Sequence, residues 1–405
     1  MSISVLARAI GESPTLKLNE KANLLKERGE AVIHLGSGEP KIKTPIDAIL
    51  AASAKLSTAE VKYTPTDGIP ALKKAILRYT EENYGKVVGP ENVMVAPGAK
   101  AALYSLFLTV LNPQDEVIIP APYWVSYPEM VKMVYAVPVT VKSEDGRFQP
   151  RLQDIEAAVN SYTKMIILNS PNNPSGAVYS DDFVQGIVEL CERKKLWLVM
   201  DDIYHKLVFD GRKPTPAYAY VKEPFENSRL VVINGLSKLY GMTGFRIGWA
   251  IASKTVIRTM TNVQGQTVSC PSALLQSAAV GALLGMQGVV DSLNATLQNA
   301  RNIMVQELAS FDNVYLEKPC GTFYCLPDFS YYNKSSEALS QFLLEKALVV
   351  TVPGKEFGFE GHLRLSYCGS LKDITEGLER IKWALDPKAP REIYVGDRRL
   401  VRDWT

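Results

Sequence analysis

Asn234-Gly-Leu-Ser-Lys-Leu-Tyr-Gly-Met-Thr-Gly-Phe-Arg-Ile-Gly248, which follows the apolar run Leu230-Val-Val-Ile233, decides how the rest of the chain is read. The run has the Val and Ile content of a buried strand. The loop behind it is rich in glycine, which lets backbone approach a ligand closely. It also places a lysine and an arginine just past a strand end, where α/β sheets bind their ligands. A lone loop lysine is ordinarily a solvated charge, so its meaning depends on what stands at the neighbouring strand ends.

Two earlier strand ends carry matching features. Asn169-Ser-Pro-Asn-Asn-Pro-Ser-Gly176 follows Met165-Ile-Ile-Leu168, and Asp201-Asp-Ile-Tyr204 follows Leu196-Trp-Leu-Val-Met200. Alone, the first is a turn and the second a helix cap. Glu116-Val-Ile-Ile119 and Trp249-Ala-Ile-Ala252 complete the apolar runs. Helical patterns at 71–84, with Pro70 in the first turn, and at 181–194, with two acids at its start, lie between them. This alternation predicts an α/β fold with a mostly parallel sheet, its strands apolar throughout and therefore covered on both faces.

Beyond residue 290, a long helical stretch, short strands and a last helix, with Ile374, Leu378, Ile381 and Leu385 at helical spacing behind Ser370, predict a smaller α+β domain. The expected division is a large domain at 44–290 and a small one from 1–43 and 291–385. The tail, 386–405, is expected to be a solvated extension.

The 45 Lys and Arg against 43 Asp and Glu call for neither nucleic acid nor an anionic membrane, which leaves small molecules as partners. The stretch 3–10 is short and broken by Arg8, and no run of about 18 apolar residues occurs, so a cytoplasmic protein is expected. Five scattered cysteines without Cys-x-x-Cys and three dispersed histidines suit reduced thiols and no protein metal site.

Taken together, these motifs resemble those of the class I/II, fold type I aminotransferases, which depend on pyridoxal 5′-phosphate (PLP). The resemblance runs from about Ser13 to Leu385. It implies that Lys238, in Ser-Lys-x-x-x-Met-Thr-Gly-x-Arg-Ile-Gly, carries PLP as a Schiff base and moves the substrate's Cα proton. Asp201 then resembles the carboxylate that keeps the pyridine nitrogen protonated, and Tyr204 and Asn173 the pair at the phenolate oxygen. Gly98, Ala99 and Lys100 at a helix start, with Ser237 and Arg246, would hold the phosphate. Trp124 would lie against the ring. Tyr63 would reach the phosphate of a neighbouring subunit in a homodimer with shared active sites. Arg364 resembles the arginine that grips the α-carboxylate, with Gly38 as a backbone partner opposite. An arginine inside an apolar strand is costly unless paired, which supports Arg364 independently.

The resemblance also bears on substrate. In a bacterial aspartate/prephenate branch a lysine at the position of Lys100, with residues matching Ser13 and Thr15, binds a distal carboxylate, which implies aspartate or glutamate and a 2-oxo acid. Departures are Gly11, where prephenate-using relatives carry a basic residue, Lys41-Ile-Lys43 in place of Asp-Phe, and Gly235 where some branches have Ser. Asp202 stands where the family commonly has Glu and reads as a helix or surface acid. An aromatic or prephenate aminotransferase, another PLP-dependent lyase, and a PLP-binding regulatory module remain open at this point.

Overall fold

A computed structural model describes residues 3–12, 14–143, 145–396 and 398–404. In chain order its strands are β1 (Ile33–His34), β2 (Val93–Ala96), β3 (Glu116–Pro120), β4 (Val137–Val141), β5 (Thr163–Leu168), β6 (Trp197–Asp201), β7 (Leu230–Gly235), β8 (Gly248–Ile251), β9 (Tyr324–Cys325), β10 (Val349–Val350), β11 (Val352–Pro353), β12 (Leu363–Ser366), β13 (Glu392–Val395) and β14 (Arg398–Val401).

Seven of these form the central sheet in the order β2-β8-β7-β6-β5-β3-β4. Every pair from β7 across to β4 is parallel, and β8 runs antiparallel to both of its neighbours, β7 and β2. Successive side chains on a strand enter different cores, as a period of two requires. Ile166, Leu198 and Val232 pack with Leu72, Phe183 and Ala279 on one face. Ile167, Val199 and Val231 pack with Leu106, Val256 and Met260 on the other. Helices Pro70–Tyr84, Asp181–Lys194 and Ala273–Leu284 therefore cover one face, and Ala99–Val110 and Lys254–Thr267 the other. The α/β class and the two-sided burial agree with the sequence.

Two strands have weak sequence signals. β4 contains Pro138, which removes a ladder donor and is tolerated because β4 is the edge strand. β2 is only four residues long. The direction of β8 is likewise not encoded in its composition, since an apolar run reads the same both ways.

The last third of the chain forms a three-stranded sheet, β11-β12-β9, and its β10 pairs in parallel with β1 from the first part of the chain. Helices Gly288–Leu308, Ser336–Ala347 and Leu371–Leu385 pack on this part. Ser370 caps the last helix, its Oγ accepting from the Asp373 amide at 3.0 Å. The tail is not simply solvated as expected. β13 and β14 make a hairpin, and the Trp404 ring packs edge-on against Phe342 and Trp383 while its Nε1 donates to Ala384 O at 3.2 Å. One aromatic anchor after a run of charges leaves no periodicity to read. Among the described residues no single helix is long and apolar enough to cross a membrane.

Candidate active site

The register of the parallel strands pairs Leu168 with Met200 and Asp201 with Ile233. The Asn169 loop, Asp201 and the lysine loop thus emerge side by side at one sheet edge. They open into a cavity of about 440 Å³ that is also lined by Gly38, Ala99, Lys100, Trp124 and Arg364. Lys238, Asp201, Tyr204, Asn173, Ser237 and Arg246 all reach it.

Lys238 Nζ donates to Gly38 O at 2.7 Å. Burial pulls its pKa down to about 8; the Arg364 and Arg246 cations add to this, and Cys368 and Glu39 oppose it. A sizeable share of the amine is thus neutral near physiological pH, the state needed for attack on an aldehyde. Asp201 is 4% exposed. Its Oδ2 accepts from the Tyr127 hydroxyl at 2.6 Å and its Oδ1 from the Ile203 amide at 3.4 Å. Burial pushes its pKa up to about 6, against the pull of these two bonds and of Lys238. The carboxylate still predominates at pH 7, the form that a protonated ring nitrogen would pair with.

Arg364 lies on β12, buried, with its guanidinium against the rings of Tyr324 (4.4 Å) and Phe357 (5.0 Å). It donates to Asn173 Oδ1 at 3.0 Å and to Gly36 O at 2.9 Å, and its Nε has no partner. Among the described residues no carboxylate pairs with it. Tyr204 is 3% exposed and is hydrogen-bonded to Tyr324. Burial keeps its hydroxyl protonated.

Another part of the cavity lining suits an anion. Gly98, at φ +91°, precedes helix Ala99–Val110, and a Cβ there would stand 2.6 Å from the Arg246 guanidinium. Only glycine allows this approach. The amides of Ala99 and Lys100 find no acceptor among the described residues, so these helix-start donors line one cavity together with Ser237 and Arg246. Taken together, a free anion cradle, a buried carboxylate and an amine of lowered pKa fit PLP end to end. Lys100 turns its Nζ toward Ser126 Oγ at 3.1 Å and lies 4.7 Å from the Trp124 ring, its pKa lowered by burial and then by Arg246.

Not every residue singled out in the sequence lies at this site. Tyr63 is 90% exposed and outside the cavity of its own chain. Ser13 and the side chain of Thr15 lie outside the described residues. Asp202 is not a surface acid: it is 7% exposed, and burial, followed by the Asp201 charge, raises its pKa to about 7. Tyr127 and Tyr324 were missed. Tyr127 stands three residues beyond Trp124, in Ala121-Pro-Tyr-Trp-Val-Ser-Tyr127, whereas nothing separates Tyr324 from its core neighbour Phe323.

The model of the family "Aminotransferase class I and II" matches residues 30–381. An aspartate aminotransferase of Geobacillus stearothermophilus is 36% identical, with 96% of this chain and 100% of that protein covered. A probable aspartate/prephenate aminotransferase of Aquifex aeolicus is 36% identical, over 92% of this chain and 96% of that protein. The crystal structure of the Rhizobium meliloti aspartate aminotransferase superposes with a TM-score of 0.89 at 36% identity, covering 94% of this chain and 98% of that one. With the match spanning most of the chain, the protein belongs to the class I and II aminotransferases, PLP-dependent enzymes that move an amino group between an amino acid and a 2-oxo acid.

Proposed function

We propose that the amino acid is a dicarboxylate, aspartate or glutamate. One observation carries this reading: two cations, Arg364 and Lys100, reach a single cavity and neither has a carboxylate partner among the described residues. A buried guanidinium without an acid is costly until an anion arrives. The printed names of the relatives agree with it.

In this reading, Arg364 binds the α-carboxylate bidentately, with Asn173 and Gly38 fixing its orientation, and Lys100 meets the distal carboxylate alongside Ser13 and Thr15. Bound PLP supplies the electron-withdrawing ring that makes the substrate's Cα proton acidic. Lys238 holds the cofactor until substrate displaces it, then carries that proton. Asp201 keeps a proton on the ring nitrogen, and Tyr204 and Asn173 serve the phenolate oxygen. Gly98, Ala99, Ser237 and Arg246 hold the phosphate, and Trp124 covers the ring.

The small domain, 1–43 and 291–385, closes over the large one, 44–290, with 386–405 as an appended element. The protein acts in the cytoplasm as a homodimer. Its free cysteines support the first point. The second is supported by exposed Ile46, Leu50 and Leu284 on two helices that pack together, by exposed Met286 just beyond the second of them, and by the exposed ring of Tyr63, which would enter the partner's site. A panel of amino acids assayed against 2-oxoglutarate and oxaloacetate tests the substrate class; a preference for aromatic over acidic donors would overturn it.

A further inference from the structure

The cavity wall that carries Arg364 holds a polar group unused so far. Asn19, on helix Pro14–Glu27, lines the cavity beside Gly36 and Ser37. Its Oδ1 lies 2.6 Å from His34 Nε2. The other ring nitrogen of His34, Nδ1, is buried without a partner.

That pair of facts fixes the proton. A buried orphan N–H is rarer and costlier than a buried lone pair, so Nδ1 is bare and Nε2 carries the hydrogen. Burial also holds the ring neutral, with its pKa lowered to about 4; Lys26 acts in the same direction, and the residue's own main chain opposes them. His34 therefore donates to Asn19 Oδ1. The carboxamide of Asn19 is left with its two N–H donors, which have no acceptor among the described residues.

The location identifies what these donors meet. His34 stands against Gly36, its Cε1 3.4 Å from where a Cβ there would lie, and Gly36 O accepts from Arg364, whereas the cradle of Gly98, Ala99 and Arg246 makes no hydrogen bond with Asn19 or His34 among the described residues. Asn19 thus faces substrate and not phosphate. We propose that Asn19, held in orientation by His34, is a specificity-determining residue that donates an N–H to a carbonyl oxygen on the amino acid's side chain. A neutral amide accepts carboxylate and carboxamide oxygens alike, whereas the charge of Lys100 distinguishes them. The substrate class is then amino acids with a side-chain carbonyl oxygen, asparagine as well as aspartate. This rests on the transaminase reading with Arg364 at the α-carboxylate.

The test compares kcat/KM for aspartate, asparagine and alanine in the wild-type holoenzyme and in Asn19→Leu, Asn19→Asp and Lys100→Ala. Calorimetric binding of succinate and succinamate serves as a second readout. Asn19→Leu is expected to lower efficiency with aspartate and asparagine roughly 10-fold each, to weaken both ligands, and to leave alanine within about twofold. Asn19→Asp, nearly isosteric, should cost aspartate and succinate more than asparagine and succinamate. Lys100→Ala should harm aspartate alone. Unchanged ratios in Asn19→Leu, or an equal fall with alanine, overturn the proposal. Failure of the dicarboxylate reading shows separately, as a Lys100→Ala variant with an unaltered aspartate-to-alanine ratio, and the asparagine and succinamate arms still decide the role of Asn19.

Discussion

The hydroxyl of Tyr127 donates to Oδ2 of Asp201 at 2.6 Å in the interior of the sheet edge. Burial raises the pKa of Asp201 and this bond opposes the rise. Tyr127→Phe should therefore lift it above about 6. Because the ionised carboxylate is the form that pairs with a pyridinium, the acid limb of the kcat/KM profile should move to higher pH by about one unit. An unmoved limb would separate Tyr127 from the function of Asp201.

Asp202 gives a stability prediction. Its pKa is raised in the folded chain to about 7, above the roughly 3.9 of an unfolded aspartate. The native state then holds the proton more tightly, so the contribution of Asp202 is fully present below pH about 4 and is lost as pH rises through about 7. Asp202→Asn in the apoenzyme should remove that loss. Relative to wild type, its stability should improve by about 1–3 kcal/mol between pH 5 and pH 8, read from urea midpoints. Parallel curves for the two proteins would refute the assignment.

For Lys238, a pKa lowered to about 8 means that the neutral amine grows in as pH rises through that value, not through the ordinary lysine range. Reconstitution of apoenzyme with PLP should accelerate with a midpoint near 8, and Lys238→Ala should lack the absorption band of the cofactor's Schiff base. A midpoint near 10, or an unchanged spectrum in the variant, would count against this role.

Lys100→Ala should shift preference instead of lowering activity uniformly. Losing a charged hydrogen bond to a distal carboxylate costs about 1.5–3 kcal/mol, or roughly 10- to 150-fold in kcat/KM for aspartate. Phenylalanine lacks that carboxylate and should lose far less. The ratio of the two efficiencies is the measurement, and a change within twofold would leave Lys100 as a neighbour of the phosphate.

Tyr63, exposed in its own chain, bears on the proposed homodimer. If it serves the partner's site, mixing Tyr63→Phe with Lys238→Ala subunits should regenerate activity beyond either parent. Exchanged hybrids without any gain would argue for independent sites.

Much of this was legible in the sequence because the chemistry sits at strand ends. Asp201, Asn173 and Lys238 each follow an apolar run, and a parallel sheet brings such ends together whatever the details of packing. The neighbours that tune these groups were not legible. Tyr127 and Tyr324 act through contacts between elements distant in sequence, and an aromatic there reads as core. Burial explains Asp202: a second acid beside the first looks solvated until the sheet edge closes over it. His34 and Asn19, 15 residues apart, meet only because a helix folds back on a short strand.

The reversed strand β8 has a mechanical consequence. Lys238 and Arg246 lie on a single return loop whose two ends are joined, Gly235 pairing with Gly248 and the Leu236 amide donating to Ile247 O at 3.2 Å. The span between the Lys238 amine and the Arg246 guanidinium is set by one closed loop, not by the relation of two independent elements. Arg364 and Asn19 belong to other parts of the chain. The part of the pocket proposed to meet substrate can therefore shift, or be reshaped by substitution, while the calliper formed by Lys238 and Arg246 keeps its setting.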